Sequence, residues 1–564
     1  MTKLLPLAAA IAMAFGTAHA ADSTATTSQN GSGNTATTVQ TGTNHTAIIL
    51  TALGNSSSAD VTQSGDSQIA NITQSGGVDS SSAVINQTVQ SNSATINQVH
   101  MLNTEAIVNQ NGVKNTAAVD QQHVDDTSAK VQQDGNSNIA DIRQYGFGIH
   151  NPAGSTITQT GNGNNATSDQ DTSTDALSTV VQTGDLNIAN VDQMNGSERS
   201  EVWITQVTDS SVAMATQDNS ADSKITINQN SNSAGTATVT QTNGVSNTAL
   251  VTQTDGVSTS SATVTQNGNN NGVTTYQEHV FGTMLEVSQN GDLNTASVNQ
   301  EHVNDSTASV DVTGNSNTST VRQYGFGYHE PASAIVSTQG NLNVVNINQD
   351  TSFDAEAEVK QIGDRNTTVI TQLNESDGSK VFVDQVDGSI DGDVTVAQNQ
   401  AALSTATVVQ SAVSGSKVVV NQGPGSGLTA NVTQTGSVGG SATVNQDGVD
   451  QDAIVNQGGL NNVANVYQTA SLNEANVSQF GEFGSADIDQ TGADNEGWVN
   501  QFGGAYNDAV LLQDGYDNYA SITQSGVGFD GSHNLATINQ HGTTDWASIT
   551  QTGGAGNTAS ITQN

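Results

Sequence analysis

The chain has no cysteine, and its 564 residues include only four prolines. The missing thiols rule out a disulfide scaffold and a thiolate metal centre. Basic residues are scarce too: 11 Lys and Arg stand against 53 Asp and Glu, a formal charge of −42. Phosphate recognition needs clustered cations, so this balance argues against nucleic acid or an anionic membrane as partner. Aromatics make up 4% of the chain and hydrophobic residues 34%. That is too little for the three or four conventional cores that such a length would otherwise suggest. Beyond the first twenty residues no segment approaches 18 consecutive apolar residues, which argues against membrane insertion.

The N-terminus reads as an address. Lys3 supplies a positive start, Leu4 to Phe15 is an apolar run, and Ala18-His19-Ala20 fits a small-x-small cleavage site. Residues 1–20 are therefore expected to be a Sec signal peptide, too short in its apolar part to span a membrane.

The remainder of the chain, 21–564, reads as one continuous repeat. QTGDLNIANVDQ (182–193), QNGDLNTASVNQ (289–300) and QDGNSNIADIRQ (133–144) are variants of a single unit. With the last Gln as marker, 46 slots run from Gln29 to Gln563 at a mean spacing of about 11.9 residues, enough for one strand and one turn. Gln fills all of them except Thr51, Val312 and Thr338. Within a unit, Val298, Ala296 and Asn294 share the face of Gln300, while Asn299, Ser297 and Thr295 take the other. Period two with a β-branched residue two before the Gln is a strand signal. Gly two residues past many slots supplies turn chemistry, and Pro152, Pro331 and Pro424 are expected in turns.

From Gln63 the spacings alternate between 11 and 12 to 15 residues, as if two unlike edges were visited in turn. The expected fold is all-β: a β-solenoid of stacked strand–turn–strand rungs, two strands per coil and about 23 rungs. A duplication lies on top of this, with 98–217 resembling 277–396. RQYGFGIHNPA at 143–153 returns as RQYGFGYHEPA at 322–332, fifteen slots later. Fifteen is odd, which leaves a three-strand coil as the alternative. Between Gln217 and Gln266 no tight arc occurs, so the alternation is expected to slip phase there.

Units of the form Q-x-G-x-x-N-x-A-x-x-x-Q after a signal peptide resemble the curlin repeats of bacterial curli fibre subunits. Gln110 to Gln121 (QNGVKNTAAVDQ), Gln182 to Gln193 and Gln289 to Gln300 are good matches. The resemblance implies a functional amyloid, secreted to the surface of a Gram-negative-type bacterium for biofilm matrix and adhesion. Implied partners are further copies of the chain, an outer-membrane secretion pore and a nucleator subunit. The chain is several times longer than usual subunits of that family, and no separate Gly-rich pore-targeting segment is visible.

Physical chemistry leads the same way. An inward Gln is costly unless its amide is bonded, and stacked rungs let each amide donate to the next. Gln110, Gln121, Gln133, Gln144, Gln182, Gln193, Gln289, Gln300, Gln434 and Gln446 are the expected amide ladder. Asp66, Asp134, Asp185, Asp292 and Asp447 fall at turns or outward positions, where like charges oppose premature pairing. Trp203, Trp498 and Trp546 are expected on the outside. The last unit, ASITQN, reads as a bare rung.

Two sets of histidines, His100, His123 and His150, and His279, His302 and His329, fall on one edge in consecutive rungs if coils have two strands. Neighbouring imidazoles there could share a divalent cation, although none is required by the repeat. No P-loop, G-x-S-x-G, H-E-x-x-H or calcium nonapeptide is present, and a thin coil offers no pocket to separate carboxylate pKa values. The chain does not read as an enzyme. Alternatives from other classes are a monomeric adhesin using the repeat as spacer, and an ice-binding solenoid with Thr arrays such as Thr238/Thr240 and Thr263/Thr265.

Overall fold

The computed structural model describes residues 19–146, 153–325 and 332–564. All regular structure among them is β-strand. The fold is a β-solenoid of about 23 turns, built from parallel strands in two sheets. It divides into two compact units, Met1–Val273 and Thr274–Asn564.

In the first unit, consecutive strands alternate between two facing sheets. Glu105–Val113 pairs in parallel with Ser82–Gln90 and Ser128–Asp134, whereas Thr116–Gln122 pairs with Ser93–Val99 and Ile139–Tyr145. Each residue therefore pairs with residues two slots away, such as Gln110 with Gln133. Two strands make one turn. The spacing of Gln217 to Gln266 does not disturb this, since Gln217 pairs with Gln241, Gln241 with Gln266 and Gln229 with Gln253. A three-strand coil would pair slots three apart and is not what forms.

The second unit repeats the plan. Ser441–Val449 lies between Lys417–Ser426 and Val463–Ser471, and Glu474–Glu482 between Asp452–Leu460 and Glu496–Ala505. The core in both units is the inward row of each strand. Ala117, Val119 and Gln121 are 2%, 1% and 0% exposed, and Ala442, Val444 and Gln446 are equally buried. Ala and Val are small enough to let the sheets approach, and branching at Val suits the pleated backbone.

Corners are where the sequence reading needs correction. Pro424 does not sit in a separate turn but inside the extended segment Lys417–Ser426, at the irregularity between Gln422 and Gly425 where pairing skips residues. The backbone stays extended around the corner, and proline is tolerated at such a bulge because no ladder bond is needed from its nitrogen. Pro152 and Pro331 lie outside the described residues. Glycine is required where rungs touch most closely. Gly112, Gly135, Gly161 and Gly184 are stacked with φ between 110° and 129°, and a Cβ on Gly135 would lie 1.9 Å from the Gly161 carbonyl oxygen.

Candidate functional site: amide ladders and outer faces

Each strand aims its slot Gln into the space between the sheets, because alternation puts the residues four and two before it on the same face. There the amides stack. Nε2 of Gln110 donates to Oε1 of Gln133 at 2.9 Å, and Gln133 in turn to Gln159 at 2.8 Å. On the facing sheet Gln121 donates to Gln144 and Gln144 to Gln170, both at 2.8 Å. Gln182, Gln193, Gln300, Gln434 and Gln446 donate in the same way to Gln206, Gln217, Gln323, Gln457 and Gln468 at 2.8–2.9 Å. The second Nε2 hydrogen crosses to the opposite sheet: Gln133 reaches the Thr116 carbonyl at 3.0 Å and Gln144 the Ser128 carbonyl at 3.2 Å. One side chain thus ties a rung to its neighbour and one sheet to the other, which offsets the cost of burying an amide.

Gln289 is the exception, since its partner in register is Val312, followed by Thr338 and then Gln361. Two of the three slots without Gln are therefore neighbours in one column. Thr338 Oγ1 and Gln361 Oε1 are buried there without a partner. At the third exception the Thr51 hydroxyl substitutes, donating to Gln74 Oε1 at 3.4 Å.

A second ladder lies beside the expected one: Asn294 read as inward from sequence, but the backbone partners of such Asn were not foreseen. The Asn of Q-x-G-x-x-N is buried and bonded twice. Asn115 Oδ1 accepts from the Asn138 backbone N–H at 3.0 Å, while its Nδ2 donates to the Gly135 carbonyl at 2.8 Å. Asn138 repeats this with Asn164 and Gly161. The signal was the Asn that recurs five residues after many of the slots, as after Gln110, Gln133, Gln159, Gln182 and Gln289, which turn propensity alone does not explain.

The acidic turn residues also have structural work. Asp185 Oδ1 accepts from the backbone N–H of Asn162 at 2.6 Å, and Asp66 from the Thr43 hydroxyl at 2.5 Å. Asp79 and Asp125 cap the Asn55 and Leu102 amides in the same manner. Trp203 and Trp546 are exposed on outer faces, whereas Trp498 is half-buried.

The histidines meet in pairs. His100 and His123 stack at a centroid distance of 4.8 Å with their planes 12° apart, and His279 and His302 at 4.8 Å and 15°. All four have φ between 50° and 56°. His150 and His329 lie outside the described residues. Among the described residues no group of three or more His, Asp or Glu side chains is placed to hold a metal ion.

An open groove of about 480 Å³ is lined by Asp120, Arg143, Tyr145, Asp169 and Asp171. Three of its groups are already engaged: Tyr145 donates to Asp120 at 2.9 Å, and Arg143 pairs with the neighbouring Asp141 at 3.1 Å. Burial pushes the Asp169 carboxyl up, with Arg143 opposing the shift. Among the described residues no helix is long and apolar enough to cross a membrane.

The family model of the curlin associated repeat matches residues 20–50 and 531–564. Curlin repeats are present in both segments. No curated protein matches the chain. The matched segments contain the same strand, slot and ladder geometry as the rest: Gln540 donates to Gln563 at 2.9 Å and Gln40 to Gln63 at 2.9 Å. Curlin repeats in the two matched segments and the two-sheet solenoid are consistent with a repeat-built structural protein.

Proposed function

We propose that the protein is a secreted structural subunit that self-assembles into extracellular, curli-like amyloid fibres serving biofilm matrix and surface adhesion. Its partners in this reading are further copies of itself, an outer-membrane secretion pore and a nucleating subunit. The observation that carries the reading is the in-register amide ladder. Each rung offers the next the same Gln amide, the same Ala and Val rows and the same parallel backbone bonds. A rung from another copy can use those bonds as well as a rung from the same chain.

Purified protein without residues 1–20 is expected to form β-rich fibres that bind amyloid dyes. Their diffraction should show spacings near 4.8 Å and roughly 10 Å. A monomer that never elongates at high concentration would overturn the fibre reading in favour of a spacer rod.

A further inference from the structure

Five residues before the slot, the outer faces carry a charge-pairing rule. Glu201 lies opposite Lys224 on the adjacent rung, Glu356 opposite Lys380 and Asp393 opposite Lys417. The Nζ-to-carboxylate distances are 3.1, 2.8 and 3.9 Å. At the first pair an indole completes the site. Lys224 Nζ lies 5.9 Å from the Trp203 ring, whose Nε1–H donates to Glu201 at 3.3 Å. A carboxylate and an aromatic face together make a good seat for a cation.

The motif recurs in the second unit without its lysine. EVWITQV at 201–207 returns as EGWVNQF at 496–502, so Glu496 and Trp498 stand to Gln501 as Glu201 and Trp203 stand to Gln206. Opposite Glu496 is Tyr519, and on the other side the column continues through Glu474 to Asp452. Three carboxylates are thus stacked on successive rungs, and residues 418–564 contain no Lys or Arg. Burial, and then the charges of Glu496 and Asp452, push the Glu474 carboxyl above its ordinary range. Trp498 Nε1, shut off from solvent, has no acceptor. Tyr519 stacks on Trp546 at 6.1 Å, and the Trp546 side of that pair is 66% exposed.

We propose that this face, centred on Glu474, Glu496 and Trp498 and flanked by Tyr519 and Trp546, binds a Lys- or Arg-rich polypeptide segment. Its ammonium or guanidinium group takes the place that Lys224 takes at Glu201. Three carboxylates on successive rungs call for several cations held on one chain, which a polypeptide supplies and a simple amine or single metal ion does not. Charge complementarity selects against a second copy of this chain as occupant. At −42, and with most of its cations already paired, it would bring like charge to like.

The test is fluorescence anisotropy of labelled octalysine against the full chain at physiological ionic strength, with fully N-acetylated octalysine as the neutral counterpart. Octalysine should bind and the acetylated peptide should not. Glu496→Gln and Trp498→Ala should each weaken binding by about tenfold, whereas the charge-matched Asp60→Asn should change it less than about twofold. Tyr519→Lys supplies in cis the cation found at Lys224, and should abolish binding while the circular dichroism spectrum is unchanged. Absence of octalysine binding, equal weakening by Asp60→Asn and Glu496→Gln, or unaltered binding by Trp498→Ala would each overturn the proposal.

Discussion

A single glutamine in this protein makes bonds in three directions, so its removal strands more than itself. Gln121 accepts from Gln98 at 2.9 Å and donates to Gln144 at 2.8 Å. Gln121→Leu would leave a buried donor and a buried acceptor unpaired, at about 1–3 kcal/mol each. The urea midpoint of unfolding should fall accordingly. The converse change should help. Filling the gap with Val312→Gln/Thr338→Gln gives Gln361 Oε1 its donor and removes the orphan Thr338 hydroxyl, so stability should rise by roughly 1–2 kcal/mol, read as a higher urea midpoint. The slots and their exceptions were legible in the sequence because Gln recurs at a fixed place. That Val312 and Thr338 share one column was not read there, since adjacency across rungs depends on the number of strands per turn.

At the scale of the element, the strands were easier to read than the corners. Period-two alternation reports burial directly, and Asn294, Ala296, Val298 and Gln300 are all at most 1% exposed. Corners depend on contacts between rungs, which leave only a weak trace in composition. Pro424 read as a turn residue but lies in backbone that stays extended through the bend. Gly135 read as generic turn chemistry, yet the reason for glycine is the 1.9 Å that would separate a Cβ from the next rung. Gly135→Ala combines that clash with an unfavourable φ of 129°. It should cost at least about 2 kcal/mol, visible as a lowered melting temperature, with local loss of amide-exchange protection in the rungs on either side. The stacked histidines belong to this scale too. The metal-sharing role proposed for them predicts that His123→Ala/His302→Ala takes up less zinc than the parent chain. Equal uptake would leave His100, His123, His279 and His302 as turn residues copied with the duplication.

For the whole molecule, the spacing alternation was enough to set two strands per turn, but not how so large a negative charge is tolerated. Ion pairing across rungs offsets part of that charge, whereas burial of carboxylates adds to its cost, and the two respond to pH with opposite sign. Burial raises the carboxyls of Asp169, Asp192, Glu474 and Asp489 above their ordinary values. The folded chain then holds these protons more tightly than the unfolded one, so acidifying from neutrality through the raised values adds stability, complete below about pH 4. Glu201, Asp222 and Asp391 are the reverse, lowered by hydrogen bonds from Lys224, Arg199 and Arg365. Their contribution is full above about pH 4 and is lost as pH falls through their depressed values. Self-repulsion at −42 acts in the same direction as the buried group. The urea midpoint and the rate of fibre growth should therefore both rise from pH 7 towards about pH 4.5, and the midpoint should fall again below about pH 3. Salt separates the two acid-side causes. Screening over about 8 Å at physiological ionic strength weakens long-range repulsion but not the desolvation of buried carboxyls. In high salt the remaining rise should shrink in Asp169→Asn/Asp192→Asn, and a midpoint indifferent to pH in the parent chain would remove both causes together.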